Sequence, residues 1–121
     1  MTHAAASGAS YEALAARHLE SNGLNLLARN VRSRGGELDL VAEQGRTLVF
    51  VEVRFRACDQ FGGACASVDR YKQRRLVRAA QQFLARNPTL AQRPCRFDLV
   101  AIDGAEPPKL EWLRDAFRPD R

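Results

Sequence analysis

From Gly36 the chain runs Gly-Glu-Leu-Asp-Leu-Val-Ala. A polar break, Glu43-Gln-Gly-Arg46, leads into Thr-Leu-Val-Phe-Val-Glu-Val-Arg54. No other segment constrains the fold as much. Two apolar runs rich in Val, Leu and Phe around a Gly-containing turn read as a β-hairpin bound for a core. Yet Asp39, Glu52 and Arg54 sit inside those runs. Charges at such positions are costly unless they are paired or hold a metal. Either they face water from an edge, or they serve chemistry.

Strand side chains alternate between faces, so Glu52 and Arg54 point the same way. A turn centred on Gln44-Gly45 pairs residues whose numbers sum to 89. Asp39 then opposes Phe50, Glu52 opposes Glu37, and Asp39 and Glu52 become diagonal neighbours on one face. A one-residue slip would separate them. Clustered carboxylates raise one another's pKa. A hard cation relieves that, and Mg²⁺ takes one or two carboxylates together with waters and phosphate oxygens. The alternative is a structural ion network in which Arg54 pairs with Glu52 and Asp39.

Around the hairpin, Ser10 to Ser21 reads as a helix, with Tyr11, Leu14, Ala15, His18 and Leu19 at helical spacing and Asn22-Gly23 as its stop. Glu12 falls at the rim of that apolar face. His18 lies on the face and reads as a packed side chain. Leu24 to Val31 forms a first strand, Glu37 to Ala42 a second and Thr47 to Arg56 a third. Ala57 to Ser67 is loop. Ser67 is the expected cap of a helix running to about Arg86, stopped by Asn87-Pro88. Arg96 to Ile102 is a fourth strand and Leu110 to Leu113 a weaker fifth. The order αβββαβ(β) predicts an α/β fold with a mixed central sheet flanked by helices. Residues 10–117 are expected to form a single domain between tails at 1–9 and 118–121.

The chain has 121 residues, 45% of them hydrophobic, and a net charge of +5 from 19 Lys and Arg against 14 Asp and Glu. Most of the cations are arginine, whose planar fork matches phosphate. This balance raises the odds of a nucleic-acid partner. Arg70, Arg74 and Arg78 recur every four residues on the second helix, with Lys72 and Arg75 alongside. Arg32 and Arg34 precede the second strand. Cys58, Cys65 and Cys95 have no metal-binding spacing and read as reduced thiols of a cytoplasmic protein. No apolar run approaches the ~18 residues of a membrane span. There is no nucleotide-binding glycine loop, because Gly35-Gly36 lacks that context, and no Ser–His–Asp set.

Several segments together resemble one known family: Tyr11-Glu12-x-x-Ala15 with Leu19, Gly23 and Leu27; Arg29-Asn30-x-Arg32; Gly36-Glu-Leu-Asp-Leu-Val-Ala42; Leu48-Val-Phe-Val-Glu-Val-Arg54-x-Arg56; Phe61-Gly62; Lys72-Gln73; and Arg96-Phe-Asp-Leu-Val100. This is the YraN-like family of bacterial proteins, similar to Holliday-junction resolvases within the PD-(D/E)xK nuclease superfamily. The resemblance implies a restriction-endonuclease-like core and Mg²⁺- or Mn²⁺-dependent phosphodiester hydrolysis. It implies that Asp39, Glu52 and the Val53 carbonyl hold the metal, that Glu12 reaches the site from the first helix, and that Lys72 or Gln73 lies close by. Arg54 stands where the superfamily has lysine. Arginine stays protonated and cannot act as a base, but it can stabilise phosphoryl charge.

The expectation is therefore a metal-dependent, nuclease-like protein acting on or binding nucleic acid, DNA first, with a branched junction, a flap, a single strand and RNA all open as the substrate. The expected contacts are Arg32, Arg34, Arg70, Lys72, Gln73, Arg74, Arg75 and Arg78. A homodimer is expected on the pattern of resolvase-like relatives. The alternative is a non-hydrolysing nucleic-acid-binding module of the same fold, and below that a protein-interaction scaffold.

Overall fold

A computed structural model describes residues 8–55, 68–104 and 107–119. The element order is α1 (Gly8–Ser21), β1 (Asn25–Ser33), β2 (Gly36–Gln44), β3 (Thr47–Phe55), α2 (Arg70–Arg86), a short 3₁₀ turn (Pro88–Leu90), β4 (Cys95–Ile102) and β5 (Leu110–Phe117). The five strands form one sheet in the order β1-β2-β3-β4-β5. Only β3 and β4 pair in parallel, with α2 in the connection between them; every other pair is antiparallel. The fold is an α/β layered domain consistent with a restriction-endonuclease-like core.

The two helices cover opposite faces of the sheet. Ala15, Ala16 and Leu19 of α1 pack on Leu40, Ala42, Val49, Val51, Val100 and Ile102. Leu76, Ala79, Ala80 and Phe83 of α2 pack on Leu38, Val41, Leu48, Phe50, Phe97 and Leu99. Central strands covered on both sides must be apolar at successive positions, which is why the hairpin reads as two nearly unbroken apolar runs. α1 ends at Ser21, and Gly23, two residues on, has a φ of 92° that suits glycine. There the Leu24 N–H returns to the Leu19 carbonyl at 3.1 Å.

The hairpin register differs from the expected one. Gln44 pairs with Thr47 and Leu40 with Val51. The loop is thus Gly45-Arg46, with Gly45 at a φ of 61°, and opposed residues sum to 91. Side chains from outside the hairpin hold this longer ladder in place. Arg93 Nη1 donates to Glu43 Oε1 at 2.6 Å and Arg96 Nη1 to Gln44 Oε1 at 2.9 Å. The partner of each residue moves by two positions, so the faces are unchanged. Leu40 and Val51 are the last ladder pair, so Asp39 and Glu52 are the next residues of the two strands, where the pairing has ended.

The cap of α2 is also corrected. The helix begins at Arg70, and Asp69 caps it by accepting the Lys72 N–H at 2.8 Å; Ser67 and the expected 57–67 loop lie outside the described residues. β5 reaches Phe117 rather than Leu113. Arg114 and Asp115 break its apolar pattern, but the Asp115 N–H finds a partner in the buried Asp98 carboxylate at 2.9 Å.

Candidate functional site

At the end of the β2–β3 ladder a cleft of about 240 Å³ opens between the sheet and α2. Glu37, Asp39, Glu52, Val53, Lys72, Arg75 and Leu76 line it. Gly36 allows α2 to come this close: a Cβ there would lie 2.7 Å from the Arg75 carbonyl oxygen. The helix start is held by the Asp69 cap and by the Gln73 amide, which donates to the Val68 carbonyl at 2.8 Å.

Glu52 is 7% exposed, one of two buried charged side chains among the described residues. Lys72 Nζ lies 3.2 Å from Glu52 Oε2. Asp39 Oδ2 accepts the Val53 N–H at 2.8 Å, so the carboxylate takes up a strand donor where the ladder has ended. Burial pushes the Asp39 pKa up to about 7. The Val53 N–H opposes that shift, and the charges of Glu52, Glu12 and Glu37 add to it. An acid in this state favours either a proton or a cation.

The sequence-predicted residues divide by location. Asp39, Glu52, Val53, Lys72 and Arg75 share the cleft. Glu12 does not line it. α1 packs on the other face, where Tyr11 stacks on Phe55 at 5.1 Å, yet the Glu12 charge is felt at Asp39. Arg54 follows Glu52 on the same face by strand alternation and does not line the cleft either. Arg32 is exposed and lies 3.9 Å from Glu37. The Arg34 N–H donates to Gln82 Oε1 at 3.1 Å, which ties the β1–β2 turn to α2. Arg70, Gln73, Arg74 and Arg78 line a second groove, on the other side of α2.

The family resemblance implies Lys72 or Gln73 near the site, and the structure adds Glu52 as the charge partner of Lys72. The chain has only two lysines, Lys72 and Lys109, and a lysine beside an arginine-rich helix start was the available signal. Asp98 received no role. It is 2% exposed and accepts from Arg96 Nε at 2.9 Å, Arg96 Nη2 at 3.0 Å, Trp112 Nε1 at 2.9 Å and the Asp115 N–H. A carboxylate so saturated is structural. His18 packs edge-on against Trp112 at 5.8 Å. Cys95 is an exposed free thiol; Cys58 and Cys65 lie outside the described residues.

Among the described residues no group of three or more His, Cys, Asp or Glu side chains could hold a metal. A cation in the cleft would therefore rest on the Asp39 and Glu52 carboxylates, with waters and phosphate oxygens completing its shell. That donor set fits Mg²⁺. No described helix is long and apolar enough to cross a membrane.

The family model of an uncharacterised protein family, UPF0102, matches residues 11–102. A UPF0102 protein of Xanthomonas euvesicatoria pv. vesicatoria is 59% identical over 113 residues, covering 93% of this chain and 92% of the relative. One of Xylella fastidiosa is 58% identical over 113 residues, covering 93% of each.

Proposed function

The chain belongs to the uncharacterised protein family UPF0102, and we propose that its Asp39–Glu52 cleft hydrolyses phosphodiester bonds of nucleic acid with the help of a divalent cation. The observation that carries this reading is that Asp39 and the buried Glu52 line one cleft. Two carboxylates converge where burial has raised one of them to a pKa of about 7, and cations flank them. A structural ion pair needs one carboxylate for Lys72; a second, desolvated beside it, needs another reason. The similarity of the motifs to resolvase-like nucleases supports the same reading.

Asp39 and Glu52 would hold the cation, with the Val53 carbonyl adjoining. Bound there, Mg²⁺ or Mn²⁺ would neutralise charge on the scissile phosphate and acidify water. The side chains supply the rest. Val53 N–H fixes the Asp39 carboxylate. The Lys72 ammonium, held by Glu52, donates to a phosphoryl oxygen or orients the attacking water. Arg75 adds a second positive charge at the rim. Lys72 thus stands in for the lysine that the E-x-K element lacks here, and Arg54 need not act as a base.

A second reading, a non-hydrolysing nucleic-acid-binding module, draws support from the Glu52–Lys72 pair at 3.2 Å, which satisfies Glu52 without a metal. Cleavage assays separate the two. Duplex, branched and single-stranded substrates are incubated with Mg²⁺ or Mn²⁺. Wild type should cleave at least one of them. Glu52→Gln should abolish cleavage, and Lys72→Ala should reduce it by about a hundredfold, the effect of removing one electrostatic stabiliser. An inert wild type on every substrate with both metals leaves the binding-module reading.

A further inference from the structure

The cleft lies against one flank of α2. The opposite flank lines a larger groove, of about 470 Å³, closed on its far side by Phe117 at the end of β5 and by Arg118 just after it. Successive residues on a helix are about 100° apart. Measured from the buried stripe of Leu76, Ala79, Ala80 and Phe83, Lys72 and Arg75 turn one way and Arg70, Gln73 and Val77 the other. Arg74 and Arg78 occupy the ridge between them. Four arginines, Arg70, Arg74, Arg78 and Arg118, line the groove over an apolar floor of Val77 and Phe117, and no carboxylate among the described residues lines it. Asp115 holds the Arg118 guanidinium at 2.7 Å, so the charge left unopposed among the described residues comes from the helix.

We infer that α2 stands between two phosphate backbones and that the substrate is double-stranded DNA, one strand entering the acidic cleft and the other lying in the arginine groove. This rests on the phosphodiester reading of the cleft and adds the substrate class to it. Guanidinium forks pair with phosphate oxygens in two-point fashion. An α-helix with its side chains is about 10–12 Å across, and the major groove of B-form DNA is about 12 Å wide and admits a helix. One helix therefore spans the gap between the two backbones. A single strand bound in the cleft would leave the groove's arginines without phosphates. Duplex RNA fits poorly, because its major groove is deep and narrow.

Binding in EDTA tests this, since it needs neither metal nor hydrolysis. Fluorescence anisotropy compares a labelled DNA duplex, its isolated strand and an RNA duplex of the same length. Wild type should bind the DNA duplex at least about tenfold more tightly than either other probe, because phosphate contacts multiply affinity. R70E/R74E should lose that preference. R70Q/R74Q, which replaces the same exposed side chains without reversing charge, should lose part of it, and melting curves confirm that both variants fold. Equal wild-type affinity for duplex and single strand overturns the inference. So does equal affinity for RNA, or a duplex preference unchanged in folded variants. Failure of the cleft reading looks different: no cleavage with Mn²⁺, but an intact duplex preference in EDTA.

Discussion

Asp39 has the most perturbed environment among the described side chains. Its pKa rises from 3.8 to about 7, chiefly through burial. The folded state therefore binds a proton that the unfolded chain has already released. Its stabilising contribution is complete below pH ~4 and is lost as pH rises towards ~7. Asp39→Asn keeps an acceptor for the Val53 N–H and removes the charge. Without divalent cations it should raise the Tm by on the order of 5 °C at pH 8 and leave it unchanged below pH ~4. An equal shift at both pH values would mean that Asp39 is not electrostatically strained. Asp98 predicts the opposite sign. Asp98→Ala would leave the half-buried Arg96 guanidinium and the Trp112 N–H without their acceptor, at a cost of about 3–5 kcal/mol, readable from urea unfolding. The sequence suggested Asp39 because a charge interrupts an apolar run. Asp98 interrupts one too, but its partners, Arg96, Trp112 and Asp115, come together only in the folded sheet edge.

At the scale of elements, α2 makes the site by docking. Its start is capped by Asp69 and its body approaches β2 over Gly36. Gly36→Ala would drive a methyl group towards the Arg75 carbonyl, which is backbone and cannot rotate away. Such overpacking costs about 1–3 kcal/mol, and relief requires α2 to lift from β2. The expected result is a lower Tm together with weaker Lys72–Glu52 contact, visible as changed chemical shifts at both residues. A stable, fully active Gly36→Ala protein would show that close docking is not needed. The register correction belongs to this scale as well. The turn was placed one residue early because Glu43 and Gln44 look turn-like. They are instead the last strand residues, held there by Arg93 and Arg96.

Across the whole molecule, an acidic cleft is set within a chain of net charge +5. On the proposed reading, long-range attraction would bring in a polyanion, and a divalent cation in the cleft would offset its carboxylates. Affinity for DNA in EDTA should therefore fall linearly on a log–log plot against salt, with about −0.9 in slope for each phosphate contacted. R70E/R74E should flatten that slope by about 2 if each arginine meets one phosphate. A slope near zero in wild type would remove nucleic acid as the partner.

The sequence alone determined the type and order of the elements. Helical and strand periodicities are local, and both are strong here. It also determined that Asp39 and Glu52 share a face, because a two-residue change of register preserves strand parity. Only the tertiary structure decided the rest: the ending of the β2–β3 ladder just before Asp39 and Glu52, the arrival of Lys72 at Glu52 from twenty residues away, and the saturation of Asp98. It also divided one arginine-rich helix between an acidic cleft and a basic groove. Spacing along a chain sets which way a side chain points. What it meets there depends on how closely another element packs, and in this protein that distance is set by a glycine under α2.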